Sequence, residues 1–123
     1  MPVPRRPFAG LLLAALLALA LAPPLQAAVV VKAVASDANP YGYAFRPKTL
    51  PVGVGTKVTW KAVAGFHNVT ATSKNWAKSS SFSIGSPTSY TFKKAGTFRY
   101  RCTIHSSLAS GTCAGQCGKV LVG

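Results

Sequence analysis

The chain has 123 residues, 49% of them hydrophobic, and sets 14 Lys or Arg against one acidic residue, a formal charge of +13. A chain of this length holds one domain. Asp37 is the only side-chain carboxylate, which excludes paired-carboxylate hydrolysis and argues against most acid–base enzymes.

Arg5 and Arg6 precede a Leu- and Ala-rich run from Phe8 to Ala22, followed by Pro23, Pro24 and the small residue Ala27. The run is about 15 residues, short of the ~20 that span a bilayer. Residues 1–27 therefore read as a cleaved signal peptide, with the mature chain starting near Ala28. Arg5-Arg6 leaves ordinary secretion and twin-arginine export both open. The expected location is periplasmic or extracellular. Residues 28–123 carry nine Lys and three Arg against Asp37, a charge of +11. That charge favours anionic partners: an acidic protein, or weakly an anionic membrane surface. Nucleic acid is not expected, because an exported chain rarely meets it and the basic residues are spread rather than clustered.

The rest of the chain reads as β structure. Ala28–Ala35 is a β-branched run and predicts a first strand. Asn39-Pro40-Tyr41-Gly42 predicts a turn. Phe45–Val52 is extended but interrupted by Pro47 and Pro51, which suits a sheet edge. Gly53-Val54-Gly55 turns the chain. Thr56–Ala62 alternates, with Val58 and Trp60 on one face and Lys57, Thr59 and Lys61 on the other. His67–Thr72 is a short strand, and Ser73–Ser81 a polar loop in which Trp76 reads as a partly buried anchor. Ser81–Ile84 and Ser89–Lys93 are short strands. Thr97–Cys102 alternates again, with Phe98, Tyr100 and Cys102 on the core face. Lys119–Val122 closes the chain. Short strands separated by turn signals predict an all-β antiparallel sandwich, with Trp60, Phe92, Phe98 and Tyr100 in its core.

Three residues stand out chemically. Cys102 ends a strand on the core face, His105 follows three positions later, and His67 begins another strand. One thiolate and two imidazoles at one end of a rigid sheet pair suit copper in a trigonal site with a weak axial donor. Zinc is the general alternative for these ligand types.

These residues sit in wider stretches: Gly55-Thr56-Lys57-Val58-Thr59-Trp60, Phe66-His67-Asn68-Val69, Gly96-Thr97-Phe98-Arg99-Tyr100, Cys102-Thr103-Ile104-His105 and Gly118-Lys119-Val120. In these the chain resembles the cupredoxins, of the plastocyanin, pseudoazurin and amicyanin kind. The resemblance implies a Greek-key β-sandwich of about eight strands holding one copper over residues 28–123. It implies Cys102 as the thiolate ligand, His67 as the buried imidazole ligand and His105 as the surface one and the electron route. Asn68 would hydrogen-bond the loop near Thr103 and stiffen the site. Relatives place an axial Met two residues before the closing Gly; here Gln116 stands there, a harder oxygen donor that should lower the reduction potential. The alternative is that Gln116 points away and the axial position is empty or takes a backbone carbonyl. Ten residues separate His105 from Gln116, a long ligand loop. Cys113 and Cys117 near its end would pair in an oxidising compartment, leaving Cys102 for copper; Cys117 as axial thiolate is a further alternative. Leu108 and Ala109 could belong to an apolar patch around His105.

The function so implied is an exported, non-enzymatic, monomeric electron carrier cycling between Cu(II) and Cu(I), serving acidic partners of the cytochrome or copper oxidase type. A copper carrier or store is the second reading, disfavoured by the lack of Met or His clusters. An anionic-surface binding module is the third.

Overall fold

The computed structural model describes residues 1–4, 10 and 28–123. Residues 5–9 and 11–27, on which the signal-peptide reading rests, lie outside the described residues. The described chain forms nine strands and no helix: β1 (Val29–Ala35), β2 (Tyr43–Arg46), β3 (Thr49–Val52), β4 (Thr56–Ala62), β5 (Phe66–Ala71), β6 (Ser79–Ser83), β7 (Thr88–Phe92), β8 (Gly96–Ala109) and β9 (Thr112–Val122). They make two sheets, ordered β2-β1-β4-β7 and β3-β9-β8-β5-β6.

The period-2 alternation decides which side chains face the gap between the sheets. Val58 and Trp60 on β4 and Phe98, Tyr100 and Cys102 on β8 are buried, while Lys57, Lys61 and Arg99 stay exposed. Val31, Phe45, Val69, Phe82, Phe92 and Val120 extend the core from six other strands. Trp76, in the loop between β5 and β6, is an anchor rather than a surface residue. It is 8% exposed, packs 5.3 Å from Phe92 and 6.4 Å from Trp60 between centroids, and its Nε1–H donates to the Arg99 carbonyl at 3.0 Å.

The structure departs from the sequence reading at three places. Phe45–Val52 is not one strand. The chain crosses between sheets at the cis Arg46–Pro47 peptide, so β2 edges one sheet and β3 the other. That split raises the count from about eight strands to nine. The sandwich is also not wholly antiparallel: β1 pairs with β4, and β3 with β9, in parallel. Lastly, the long ligand loop is mostly sheet. β8 and β9 continue past the core as a hairpin arm, pairing Ser106 with Gly115 through to Ala109 with Thr112. Ser110 (φ 50°) and Gly111 (φ 75°) form its two-residue turn, both in the left-handed region that such hairpin turns require.

Candidate metal centre

The register of β8 against β9 creates the site. Arg101 pairs with Cys117 and Ser106 with Gly115. The four residues Cys102–His105 between them therefore face Gln116 alone. This bulge throws Cys102 and His105 inward at the mouth of the sandwich, where β5 delivers His67.

The ligand atoms of His67, Cys102 and His105 all lie within 4.8 Å of one another. Cys102 Sγ is 3.5 Å from His105 Nδ1. Gln116 Oε1 is 3.1 Å from His67 Nδ1 and 3.0 Å from His105 Nδ1. His67, Cys102 and Gln116 are fully buried, whereas His105 is partly exposed. Thus the four residues named from the sequence as ligands come together, and Gln116 points into the group rather than away from it.

The arrangement around His67 shows what these atoms suit. His67 Nε2–H donates to the Ala64 carbonyl at 2.5 Å. A neutral imidazole so held leaves a bare lone pair on Nδ1. That lone pair faces the Gln116 oxygen, also an acceptor, while Gln116 Nε2 is buried with no hydrogen-bond partner. An imidazole lone pair and an amide oxygen aimed at one another beside a free thiol, with the available amide donor turned away, are a ligand set for a cation. A soft thiol, two imidazoles and a weaker axial oxygen fit copper. Burial, opposed by the contact with Gln116 and reinforced by the neighbouring His67, holds the His105 imidazole below the ordinary histidine value. It is therefore neutral and free to ligate at physiological pH.

Asn68 ties the bulge to β5. Its Nδ2–H donates to Thr103 Oγ1 at 2.8 Å, and its Oδ1 accepts from the Thr103 N–H at 3.0 Å and the Thr70 hydroxyl at 2.8 Å. On the other side of the bulge the Ser106 hydroxyl donates to the Cys102 carbonyl, and Arg101 Nη1 reaches Ser106 Oγ at 3.2 Å. Cys113 and Cys117 form a disulfide, and Cys102 is the one free cysteine.

Tyr43 was not marked out by the sequence. Its ring packs 4.3 Å from His105 and 5.0 Å from His67 between centroids, wedged against both imidazoles. The Asn39 side chain accepts from the Tyr41 N–H at 2.9 Å and donates to the Tyr43 carbonyl at 3.0 Å, so one turn residue sets both tyrosines. The turn signal at Asn39-Pro40 was legible; the direction in which its tyrosines point was not.

Leu108 and Ala109 do not form a patch around His105. Leu108 lies in the arm, where it lines a groove with Lys48, Arg99, Thr112 and Lys119 on the outer face of the five-stranded sheet. The exposed apolar residues beside the ligands are instead Phe66 (55% exposed), next to His67, and Ile104 (52%), next to His105.

Comparison with known proteins agrees with this chemistry. Residues 31–116 match the copper binding proteins of the plastocyanin/azurin family. A search of curated proteins finds no significant match. Among solved structures, a proline-to-glycine variant of amicyanin in its reduced Cu(I) form at pH 4 is 28% identical, with 80% of this chain and 84% of that one aligned at a TM-score of 0.60. The reduced state of another amicyanin variant, also 28% identical, aligns over 78% of this chain and 82% of that one at 0.59. A purple cupredoxin from Nitrosopumilus maritimus, at 22% identity, shares the fold over 77% of this chain and 99% of that one at 0.61. With the match covering most of the chain, and a Cys–His–His cluster at the mouth of an all-β sandwich, this protein belongs to the copper-binding plastocyanin/azurin family, the cupredoxins, and copper is its metal.

Proposed function

We propose that the chain is an exported single-electron carrier in which His67, Cys102 and His105 bind copper and Gln116 is the axial ligand. Residues 1–27 are its signal peptide, and it works as a monomer in the periplasm or outside the cell. The observation that carries the reading is the meeting of a buried thiol, two imidazole nitrogens and an amide oxygen, with one ligand alone, His105, reaching the surface. Bound copper would supply a one-electron Cu(II)/Cu(I) couple. The protein's part is to hold the ligands still. The Ala64 carbonyl fixes the His67 ring, the Asn68–Thr103 bonds fix the bulge and Tyr43 backs both imidazoles, so little rearrangement accompanies a change of charge.

Electrons leave through His105, the one partly exposed ligand, beside the exposed side chain of Ile104. The charge of the molecule supports acidic partners, of the cytochrome or copper oxidase type, drawn by long-range attraction. The groove bearing Lys48, Arg99 and Lys119 supplies a local positive face with no carboxylate to offset it.

The test is a visible spectrum and voltammogram of the Cu(II)-loaded protein. An intense thiolate-to-copper band, bleached by ascorbate and restored by oxidant, with a reversible one-electron wave, is the expected result. A pale product in which Cys102 titrates as a free thiol sinks the reading. Rapid loss of copper to a weak chelator would make the protein a copper carrier instead.

A further inference from the structure

In a regular strand, four residue steps move the chain about 13 Å. Between Cys113 and Cys117 of β9 the Cα atoms are only 6.2 Å apart. A disulfide spans Cα separations of about 4.4–6.8 Å, so a straight β9 could not carry this bond, and the bond admits only the folded form. The fold-back lies at the edge of the ligand bulge, where the pairing jumps from Ser106–Gly115 to Arg101–Cys117. Gly115 is its pivot, at φ 99°. A Cβ there would lie 2.5 Å from the His105 carbonyl oxygen and 2.5 Å from the Tyr41 ring. The pivot is thus clamped on one side by the backbone of a ligand and on the other by the ring of Tyr41, a residue whose backbone N–H donates to Asn39.

Gln116 sits between the clamped pivot and the disulfide. Its own bonding holds it only in part: Nε2 has no partner, and its oxygen faces the acceptor lone pair of His67 and meets one further group, His105 Nδ1, at 3.0 Å. The aim of the side chain therefore depends chiefly on the backbone that carries it. We propose that the Cys113–Cys117 disulfide and Gly115 are positioning residues that fold β9 so that Gln116 presents its amide oxygen axially to the metal. The inference rests on Gln116 being the axial ligand. Opening the bond allows β9 to extend and the oxygen to withdraw, while the two Asn68–Thr103 bonds still tie the bulge carrying Cys102 and His105 to the strand carrying His67.

The experiment compares the parent protein with the Cys113→Ser/Cys117→Ser double variant, using two readouts. The first is NOEs between the Gln116 side-chain amide protons and the His67 and His105 rings, recorded metal-free and in the diamagnetic Cu(I) form. These are expected in the parent and lost in the variant. The second is the visible and EPR spectra and midpoint potential of the copper-loaded protein. The variant is expected to keep its thiolate-to-copper band but to match Gln116→Ala in spectrum and potential, and to release copper roughly 10-fold faster. A purely structural bond would lower thermal stability and leave spectrum and potential at the parent's values; that outcome, or retained NOEs, overturns the proposal. If the double variant fails to fold, phosphine reduction of the folded, metal-free parent gives the same NOE comparison. A parent without a thiolate-to-copper band would defeat the electron-carrier reading, while the metal-free NOEs would still decide the positioning role.

Discussion

Asn68 bonds Thr103 through both its amide groups, so the strand that carries His67 and the bulge that carries Cys102 move as one body. Asn68→Ala is expected to weaken copper binding by about 10–100-fold with little change in fold, measurable by competition with a chelator of known affinity. Gln116→Met replaces a hard oxygen with a soft thioether and should raise the midpoint potential; a potential equal to or below the parent's in voltammetry would contradict an axial role for the oxygen. Tyr100 presents a different case. Its hydroxyl is buried with no well-formed hydrogen bond, and burial, opposed by the nearby Trp60 indole N–H, pushes its pKa upward. Tyr100→Phe should therefore be neutral or stabilise by up to ~1 kcal/mol. The phenolate is disfavoured in the folded state, so Tyr100 leaves stability independent of pH below the ordinary tyrosine value of about 10, and the fold loses stability as pH rises beyond it toward the raised value. Urea midpoints at about pH 8 and about pH 11 should fall further in the parent than in the variant. His67, Cys102 and His105 were legible because alternation along Thr97–Cys102 or the turn before His67 marks their surroundings, although Cys102 and His105 lie within β8 rather than at its end. The Ala64 carbonyl and the ring of Tyr43 were not, since a backbone oxygen has no sequence signature and a ring direction after a turn depends on tertiary packing.

Among the strands, β6 and β7 edge different sheets, and Lys78 joins them. Its ammonium donates to Thr88 Oγ1 at 2.8 Å and to the Ser89 carbonyl at 3.1 Å. Closing an open side of the sandwich in this way predicts that Lys78→Ala costs about 1–2 kcal/mol, read from denaturant unfolding with the far-UV spectrum unchanged. The core strands were legible because Val58 and Trp60, or Phe98 and Tyr100, alternate with Lys, Thr or Arg. The arm was not. Ser106, Ser107, Ala109, Ser110, Gly111, Thr112 and Ala114 are all small or polar, so no apolar face marks the pairing. What makes the arm a hairpin is continuation of the β8–β9 ladder across the bulge and a turn in which Ser, not only Gly, takes a positive φ. The split of Phe45–Val52 escaped for a related reason: two prolines announce an interruption but not that the chain changes sheets there.

At the scale of the molecule, +11 over residues 28–123 makes association sensitive to ionic strength. Oxidation of the reduced protein by ferricyanide, an anion, should outpace oxidation by a cationic cobalt(III) complex of similar driving force by about 10-fold or more at low salt. The two rates should converge as the Debye length shrinks to about 8 Å near 0.15 M salt. Stopped-flow traces showing no salt dependence would mean that the charge lies too far from the electron route to matter. The sandwich class and its core were plain from the sequence at this scale, because they depend on many residues agreeing at once. The outer groove was not, since it exists only where the arm overhangs the sheet. The arm has one more consequence. Its ligand-side end is locked by Gly115 and the disulfide, while its turn at Ser110–Gly111 stands exposed, beyond both. Extra sequence spliced into that turn would be mechanically insulated from the metal. The protein therefore offers a ready attachment port for engineers: a tether or fusion partner placed there could wire the copper to an electrode or a chosen enzyme without retuning it.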